Sequence, residues 1–176
     1  ETLEMNFGVN IDANLEVDFS GFSSIIDILG GVEIDLTQAE ASHLNSNNGW
    51  SLSSGVNRLD GEQALAYSRI RKLDSDFGRT NRQRNVLTSL FEAFKDIDLT
   101  QALSLINEIF PLLTTDMSNG EMIGYATDLL PMLSKAELTS VHIPGDDDYY
   151  NATIRGMMVL VPDLDACREV LAEALQ

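Results

Sequence analysis

Leu15-Glu16-Val17-Asp18-Phe19-Ser20-Gly21-Phe22-Ser23-Ser24-Ile25-Ile26-Asp27-Ile28-Leu29-Gly30-Gly31-Val32-Glu33-Ile34-Asp35-Leu36 changes its hydrophobic period twice. Leu15, Val17 and Phe19 alternate as the buried face of a strand does. Phe22, Ile25, Ile26 and Leu29 then recur at helical spacing behind Ser20, a candidate N-cap, and Gly30-Gly31 offers the permissive backbone that ends a helix. Val32, Ile34 and Leu36 resume the alternation. Strand, helix and strand in this order predict two parallel strands joined by a crossover helix, and with them an α/β architecture.

Outward from this unit the periods are clear in some places and lost in others. Residues 37–58, with His43, a run of Asn and Ser, and Trp50, show no sustained period and read as a long surface excursion. Asp60 is placed to cap a short helix over 61–67, and a longer helix is predicted over 78–95 on the stripe Val86, Leu87, Leu90, Phe91 and Phe94. Leu99, Leu103, Ile106, Ile109 and Phe110 form an amphipathic run stopped near Pro111, and Ser118 is placed to cap a further helix. A strand over 138–143, an acidic loop over 145–151, a strand over 157–161 and a closing helix over 163–175 complete the expectation. No fixed-period repeat or low-complexity linker divides the chain, so a single domain over 1–176 is expected.

Composition narrows the function classes. The 176 residues hold 28 Asp and Glu against 11 Lys and Arg, a formal charge of −17, with 44% hydrophobic residues. That apolar share can build a core and argues against intrinsic disorder. No apolar stretch approaches the roughly 20 residues that cross a bilayer. One cysteine, Cys167, excludes an internal disulfide and a Cys-rich zinc site. General nucleic-acid binding needs many phosphate-neutralising cations, so no nucleic-acid partner is expected.

Those few cations are unevenly spread. Arg69, Arg71, Lys72, Arg79, Arg82 and Arg84 face only Asp74 and Asp76 within residues 69–84, a local charge of +4 in a remainder of −21. Screening over about 8 to 10 Å lets such an island hold an anion despite its surroundings. With Arg79 set at zero on a helical wheel, Arg82 falls near ~300° and Gln83 near ~40°, while Val86, Leu90 and Phe94 fall near ~340°, ~20° and ~60°. Arg79, Arg82 and Gln83 thus continue the apolar stripe toward the rim or interior, and Arg84 leaves it. Charge there needs a partner, either internal carboxylates or a bound phosphate, and a helix N-terminus favours the same anion. Arg69 and Arg71 share a face only if the chain leaves the helical path near Ser68. Several planar forks converging on one point suit a diphosphate better than a carboxylate. An internal ion-pair network is the competing explanation. Asp60 and Ser20 read as caps, the Asp146-Asp147-Asp148 run as a solvated loop without EF-hand spacing, and His43 and His142 as structural residues. No nucleophilic triad is signalled.

Leu65-Ala66-Tyr67-Ser68-Arg69-Ile70-Arg71 followed by Asp76-Phe77-Gly78-Arg79-Thr80-Asn81-Arg82-Gln83 resembles the LytR-CpsA-Psr proteins. Leu59-Asp60-Gly61-Glu62 upstream, and Phe19-Ser20-Gly21-Phe22 running to Gly30-Gly31-Val32, extend the resemblance over residues 17–90. It implies a three-layer α/β/α fold with a central mixed sheet. It also implies an extracytoplasmic, membrane-anchored enzyme that transfers a teichoic acid or capsule phosphoglycan from a polyprenyl pyrophosphate carrier to peptidoglycan, with Mg²⁺ assisting and an apolar groove for the lipid. Carried over by motif, Arg69, Arg71, Arg79 and Gln83 bind the pyrophosphate, Arg82 is a further candidate, and Asp76 is the accompanying catalytic acid. The family's membrane anchor, first strands and Ile-Pro-Arg-Asp-like metal-binding segment have no counterpart before Leu15. A domain without its N-terminal portion is therefore expected, its metal ligands outside this chain. The alternative is a non-catalytic module that binds polyprenyl phosphate or anionic wall polymer. A transcription-regulator role fits poorly with the charge and with no recognisable DNA-reading helix.

Overall fold

Strand, helix and strand do follow in that order, but the first strand stops before Phe19, which opens the helix, and Leu15, Val17 and Phe19 are exposed where their alternation predicts a buried face. After a short helix α1 (Thr2–Phe7), the computed structural model places strand β1 over Leu15–Val17, helix α2 over Phe19–Ile28 and strand β2 over Val32–Leu36. It describes all residues except 75, 96, 98, 134, 146 and 176, and the backbone alone of residues 76 and 99. Helix α3 (Gln38–Asn48), strand β3 (Gly55–Leu59), helices α4 (Gly61–Ser68), α5 (Asp76–Lys95) and α6 (Leu99–Ile109), a 3-10 turn (Phe110–Leu112), strand β4 (Leu113–Thr115) and helix α7 (Asn119–Leu133) follow. Strands β5 (Tyr149–Ile154) and β6 (Met157–Pro162) and helix α8 (Leu164–Ala174) close the chain. Contacts divide these elements into two units, Ala13–Leu138 and Glu1–Asp12 with Thr139–Gln176.

The α/β class holds, but the strands pair differently from the parallel crossover expected. Among the described residues β1 pairs antiparallel with β4, Leu15 opposite Thr115 and Val17 opposite Leu113, and β2 pairs antiparallel with β3, Val32 opposite Leu59 and Leu36 opposite Gly55. Alternation fixes which face of a strand is buried, not which strand lies beside it. On β2 the fixed face is clear: Val32, Ile34 and Leu36 are buried and Glu33 and Asp35 exposed. Burying each such aliphatic side chain contributes about 1.5 to 3 kcal/mol. Their cluster adds Ile26 from α2, Ala41 and Leu44 from α3, Leu59, Ala64 and Tyr67 from β3 and α4, Ile70, and Val86 from α5.

The expected excursion over 37–58 is instead a helix and a strand. Thr37 Oγ1 accepts from the Glu40 N–H (3.2 Å), and Glu40 Oε2 accepts from the Thr37 N–H (2.9 Å), a closed capping box at the start of α3. Its signature, Thr37-Gln38-Ala39-Glu40, is legible in the sequence. What hid the helix is its face: only Glu40, Ala41 and Leu44 are buried, too few to make an apolar stripe. The α2 cap also moves, from Ser20 to Asp18, whose carboxylate accepts from the Gly21 N–H at 2.7 Å. Residues 138–143 form neither helix nor strand; Leu138 and Val141 are exposed, and alternation without a neighbouring edge gives no ladder.

Helices α2 and α4 approach through a glycine. A Cβ on Gly61 would lie 2.1 Å from the Ser23 carbonyl oxygen, while the Gly61 N–H donates to Asp27 Oδ1 (2.8 Å) and Ser23 Oγ donates to the Gly61 carbonyl (3.1 Å). Gly61→Ala must part the two helices and is expected to cost about 1 to 3 kcal/mol, read as a lower urea midpoint. An unchanged midpoint would show that this crossing does not depend on close approach.

In the other unit, β5 and β6 form a hairpin whose two-residue turn holds Arg155 (φ 54°) and Gly156 (φ 79°), both left-handed as a twist-matched turn requires. Asp163 caps α8 through the N–H groups of Asp165 and Ala166. Cys167 on α8 is 1% exposed. Burial first, then the Asp148 and Asp163 carboxylates, push its thiol above the ordinary value. Ellman's reagent at pH 8 should therefore label Cys167 only as this unit unfolds; prompt labelling of the native chain would contradict that burial.

Candidate functional site

The capping box of α4, Asp60 with Gln63, starts a helix that stops at Ser68. Arg69 takes the C-cap with φ −102° and ψ 1°, and the chain continues without regular structure. The departure from the helical path required for Arg69 and Arg71 to share a face is thus present. Ile70 between them is 3% exposed and anchors the turn in the core, so both arginines project outward. Arg69, Arg71 and Lys72 line one groove of about 250 Å³ with His43, Leu44, Asn47 and Asn48 of α3 and Ala66 of α4. Among the described residues that line it there is no carboxylate, although acids outnumber cations 28 to 11 in the chain. The Arg69 guanidinium also stacks on the exposed Phe19 ring, 4.5 Å from its centroid, a platform that limits the fork's freedom.

Arg82 goes elsewhere. At 4% exposure its Nε donates to Glu40 Oε1 (2.7 Å), its Nη1 to the Ile70 carbonyl (3.2 Å) and Asp74 Oδ1 (3.1 Å), and its Nη2 to Asp74 Oδ2. Burial pulls its pKa down, but the hydrogen bonds to Asp74 and then Glu40 more than offset that and leave it above the ordinary value. Of the two explanations for buried guanidiniums, the internal ion-pair network therefore describes Arg82, which ties α3, the 70–74 turn and α5 together. Asp74 reaches it across Gly78, where a Cβ would lie 2.2 Å from the carboxyl carbon; a side chain there would push the carboxylate off Arg82.

Arg79 is half-buried on the first turns of α5 and Gln83 is exposed; neither is among the residues lining the groove of Arg69 and Arg71. The side chain of Asp76 lies outside the described residues, as does Asp146 of the acidic run. Sequence reasoning missed the α3 wall of the groove, because reading 37–58 as irregular hid that His43 and Asn47 lie one turn apart; the capping box was the available signal.

Two other features bear on ligand chemistry. A larger cavity of about 790 Å³ between β2 and α5 is lined by Glu33, Asp35 and Glu92 against Arg58, whose Nε already donates to the Gly30 carbonyl at 2.6 Å. Its balance is negative, and an anion is better served by the smaller groove. For Mg²⁺, no three His, Cys, Asp or Glu side chains gather among the described residues, and Glu40 and Asp74 are committed to Arg82. These residues do not fit a metal site.

The model of the LytR_cpsA_psr family matches residues 1–174. TagU of Oceanobacillus iheyensis, named a polyisoprenyl-teichoic acid–peptidoglycan teichoic acid transferase, is 30% identical over 154 residues, 86% of this chain and 46% of its own length. TagV of Bacillus subtilis (strain 168), with the same enzyme name, is 38% identical over 96 residues, 52% of this chain and 25% of its own length. A structure of TagT bound to LIIa-WTA superposes with a TM-score of 0.75 at 25% identity, over 98% of this chain and 63% of that one. The chain thus spans about half the length, or less, of these curated relatives. With the capped α4, the arginine turn and the fold shared along nearly all of its residues, this chain belongs to the LytR_cpsA_psr family.

Proposed function

We propose that this chain forms the diphosphate-binding part of a cell-envelope phosphotransferase that moves a teichoic-acid-type phosphoglycan from a polyprenyl pyrophosphate carrier to peptidoglycan. The observation that carries this is the groove lined by Arg69, Arg71 and Lys72, with no carboxylate among the described residues on its walls. Phosphoryl transfer asks mainly for positioning and for neutralisation of charge on the transferred and leaving groups, which fixed guanidiniums supply. In the step proposed, a peptidoglycan hydroxyl oxygen bonds to the phosphorus that bears the glycan. The bond from that phosphorus to the bridging oxygen breaks, polyprenyl phosphate leaves with the electron pair, and the hydroxyl proton passes to a carboxylate, for which Asp76 is the candidate.

Arg69 and Arg71 hold the diphosphate in this proposal; Arg79 and Gln83, on the first turns of α5 and outside the lining of that groove, are assigned to it by the family motif alone. Exposed Phe19, stacked on Arg69, offers apolar surface beside the cations for a polyprenyl chain, and Leu15 and Val17 are exposed on the strand that precedes it. No step here is drawn through Mg²⁺, for which the described residues gather no ligand set. The enzyme names of TagU and TagV and the ligand in the TagT structure support the substrate class. The reaction places the protein outside the cytoplasm at the membrane face, where the carrier resides, although no helix among the described residues is long and apolar enough to cross a bilayer. Both units belong to one domain on this account, since one family model runs across them.

A transfer assay with a lipid-linked phosphoglycan and peptidoglycan, with and without added Mg²⁺, tests the proposal. Covalent product is expected, and comparison of the two arms shows whether the ion adds to it. Binding of the lipid without any product would support instead a module that only binds polyprenyl phosphate or anionic wall polymer.

A further inference from the structure

The β5–β6 hairpin changes character from its base to its tip. Acids stand at the base: Asp147 and Asp148 precede β5, Asp163 and Asp165 follow β6, and the Asp163 N–H donates to the Asp148 carbonyl at 2.7 Å. Between them residues 149–162 hold no Asp, Glu or Lys and a single Arg, in a chain of formal charge −17. That cation, Arg155, sits in the turn. The length of β5 places the tip about 20 Å from the base, beyond the roughly 8 Å over which exposed charges act at physiological salt. The acids at the base are thus largely screened from the tip.

Exposed apolar side chains run along the hairpin and crowd its tip. Tyr150 and Leu160 are exposed further down, and at the tip Ile154 is 50%, Met157 63% and Met158 86% exposed. Ile154 lies opposite Met157, and Met158 opposite Thr153, so alternation puts the first pair on one face of the hairpin and Met158 on the other. A hairpin that packs by one face on a protein needs only that face apolar. One that is apolar on both faces of its tip is a wedge, suited to a medium that closes around it. We propose that this tip, Ile154 to Met158, inserts into the surface of an anionic bilayer. The flexible methionine and isoleucine side chains enter the boundary between headgroups and acyl chains, the long Arg155 side chain reaches the lipid phosphates, and the acids at the base stay in water. Choosing a bilayer over another apolar partner rests on the proposed function, whose carrier is a membrane lipid.

Flotation of the full chain with phosphatidylcholine vesicles, with and without phosphatidylglycerol, tests this. Binding to both is expected, about fivefold tighter where phosphatidylglycerol is present, and Arg155→Asn, which tolerates the left-handed turn, should remove that preference. Met157→Ser with Met158→Ser should weaken binding to both vesicles about tenfold and leave pyrophosphate affinity unchanged. Protection of Cys167 from Ellman's reagent checks that this variant is folded, and Met158→Ser alone repeats the test should the pair unfold. A native chain that floats with neither vesicle yet binds pyrophosphate overturns the insertion and leaves the proposed function standing. Vesicle binding without pyrophosphate binding supports the insertion and counts against the function instead. Vesicle binding untouched by the Ser pair overturns the role of the tip. So does a vesicle-free dimer that the Ser pair abolishes, which would assign the tip to a second copy of this chain.

Discussion

Arg82→Met is expected to lower the stability of the Ala13–Leu138 unit by about 3 to 5 kcal/mol, because it leaves Glu40 buried with its charge unmatched. Glu40 also closes the capping box of α3, so the loss reaches two elements at once. Thermal unfolding followed by circular dichroism should show a midpoint lower by on the order of 10 °C. Adding Glu40→Gln should recover part of the loss by removing the orphaned charge. Asp74→Asn should cost less, about 1 kcal/mol, since that carboxylate is 41% exposed and water takes up much of the difference. A stable Arg82→Met protein with weakened pyrophosphate binding would return Arg82 to the ligand site.

Arg82 also marks how far the sequence could be read. The helical wheel correctly sent it inward beside Val86, because a 3.6-residue period is a local property of the chain. Its partners are not local: Glu40 lies 42 residues away, in a stretch with no period to betray a helix. The same limit explains the sheets. β2 was legible to the residue in its burial pattern, yet its partner β3 lay inside the segment read as irregular, and β1 pairs with β4 across about a hundred residues. Gln83 is exposed although Arg82 and Val86 on either side of it in sequence are buried, and Leu87 beyond it on the wheel is exposed too, so the buried face of α5 is narrower than the apolar stripe. The end of the helix at Ser68 meets a condition legible without coordinates: two arginines at spacing two share a face only if the chain leaves the helical path there.

Removing both arginines of that turn is the other large effect. Arg69→Ala with Arg71→Ala is expected to weaken inorganic pyrophosphate binding by about 3 to 5 kcal/mol, or two to four orders of magnitude, each charge-assisted contact contributing about 1.5 to 3 kcal/mol. Folding should be unaffected, because both side chains are exposed and Ile70, which anchors the turn, is retained. Titration calorimetry alongside urea unfolding reads the two quantities separately. Phe19→Ala should give a smaller loss of affinity, as the Arg69 fork loses the ring that orients it. Opposite signatures are thus expected from arginines within one short stretch: Arg82 changes stability, while Arg69 and Arg71 change affinity. If the double variant bound pyrophosphate like the native chain, the groove would be a solvated cationic rim, and the diphosphate would have to be sought along α5 at Arg79.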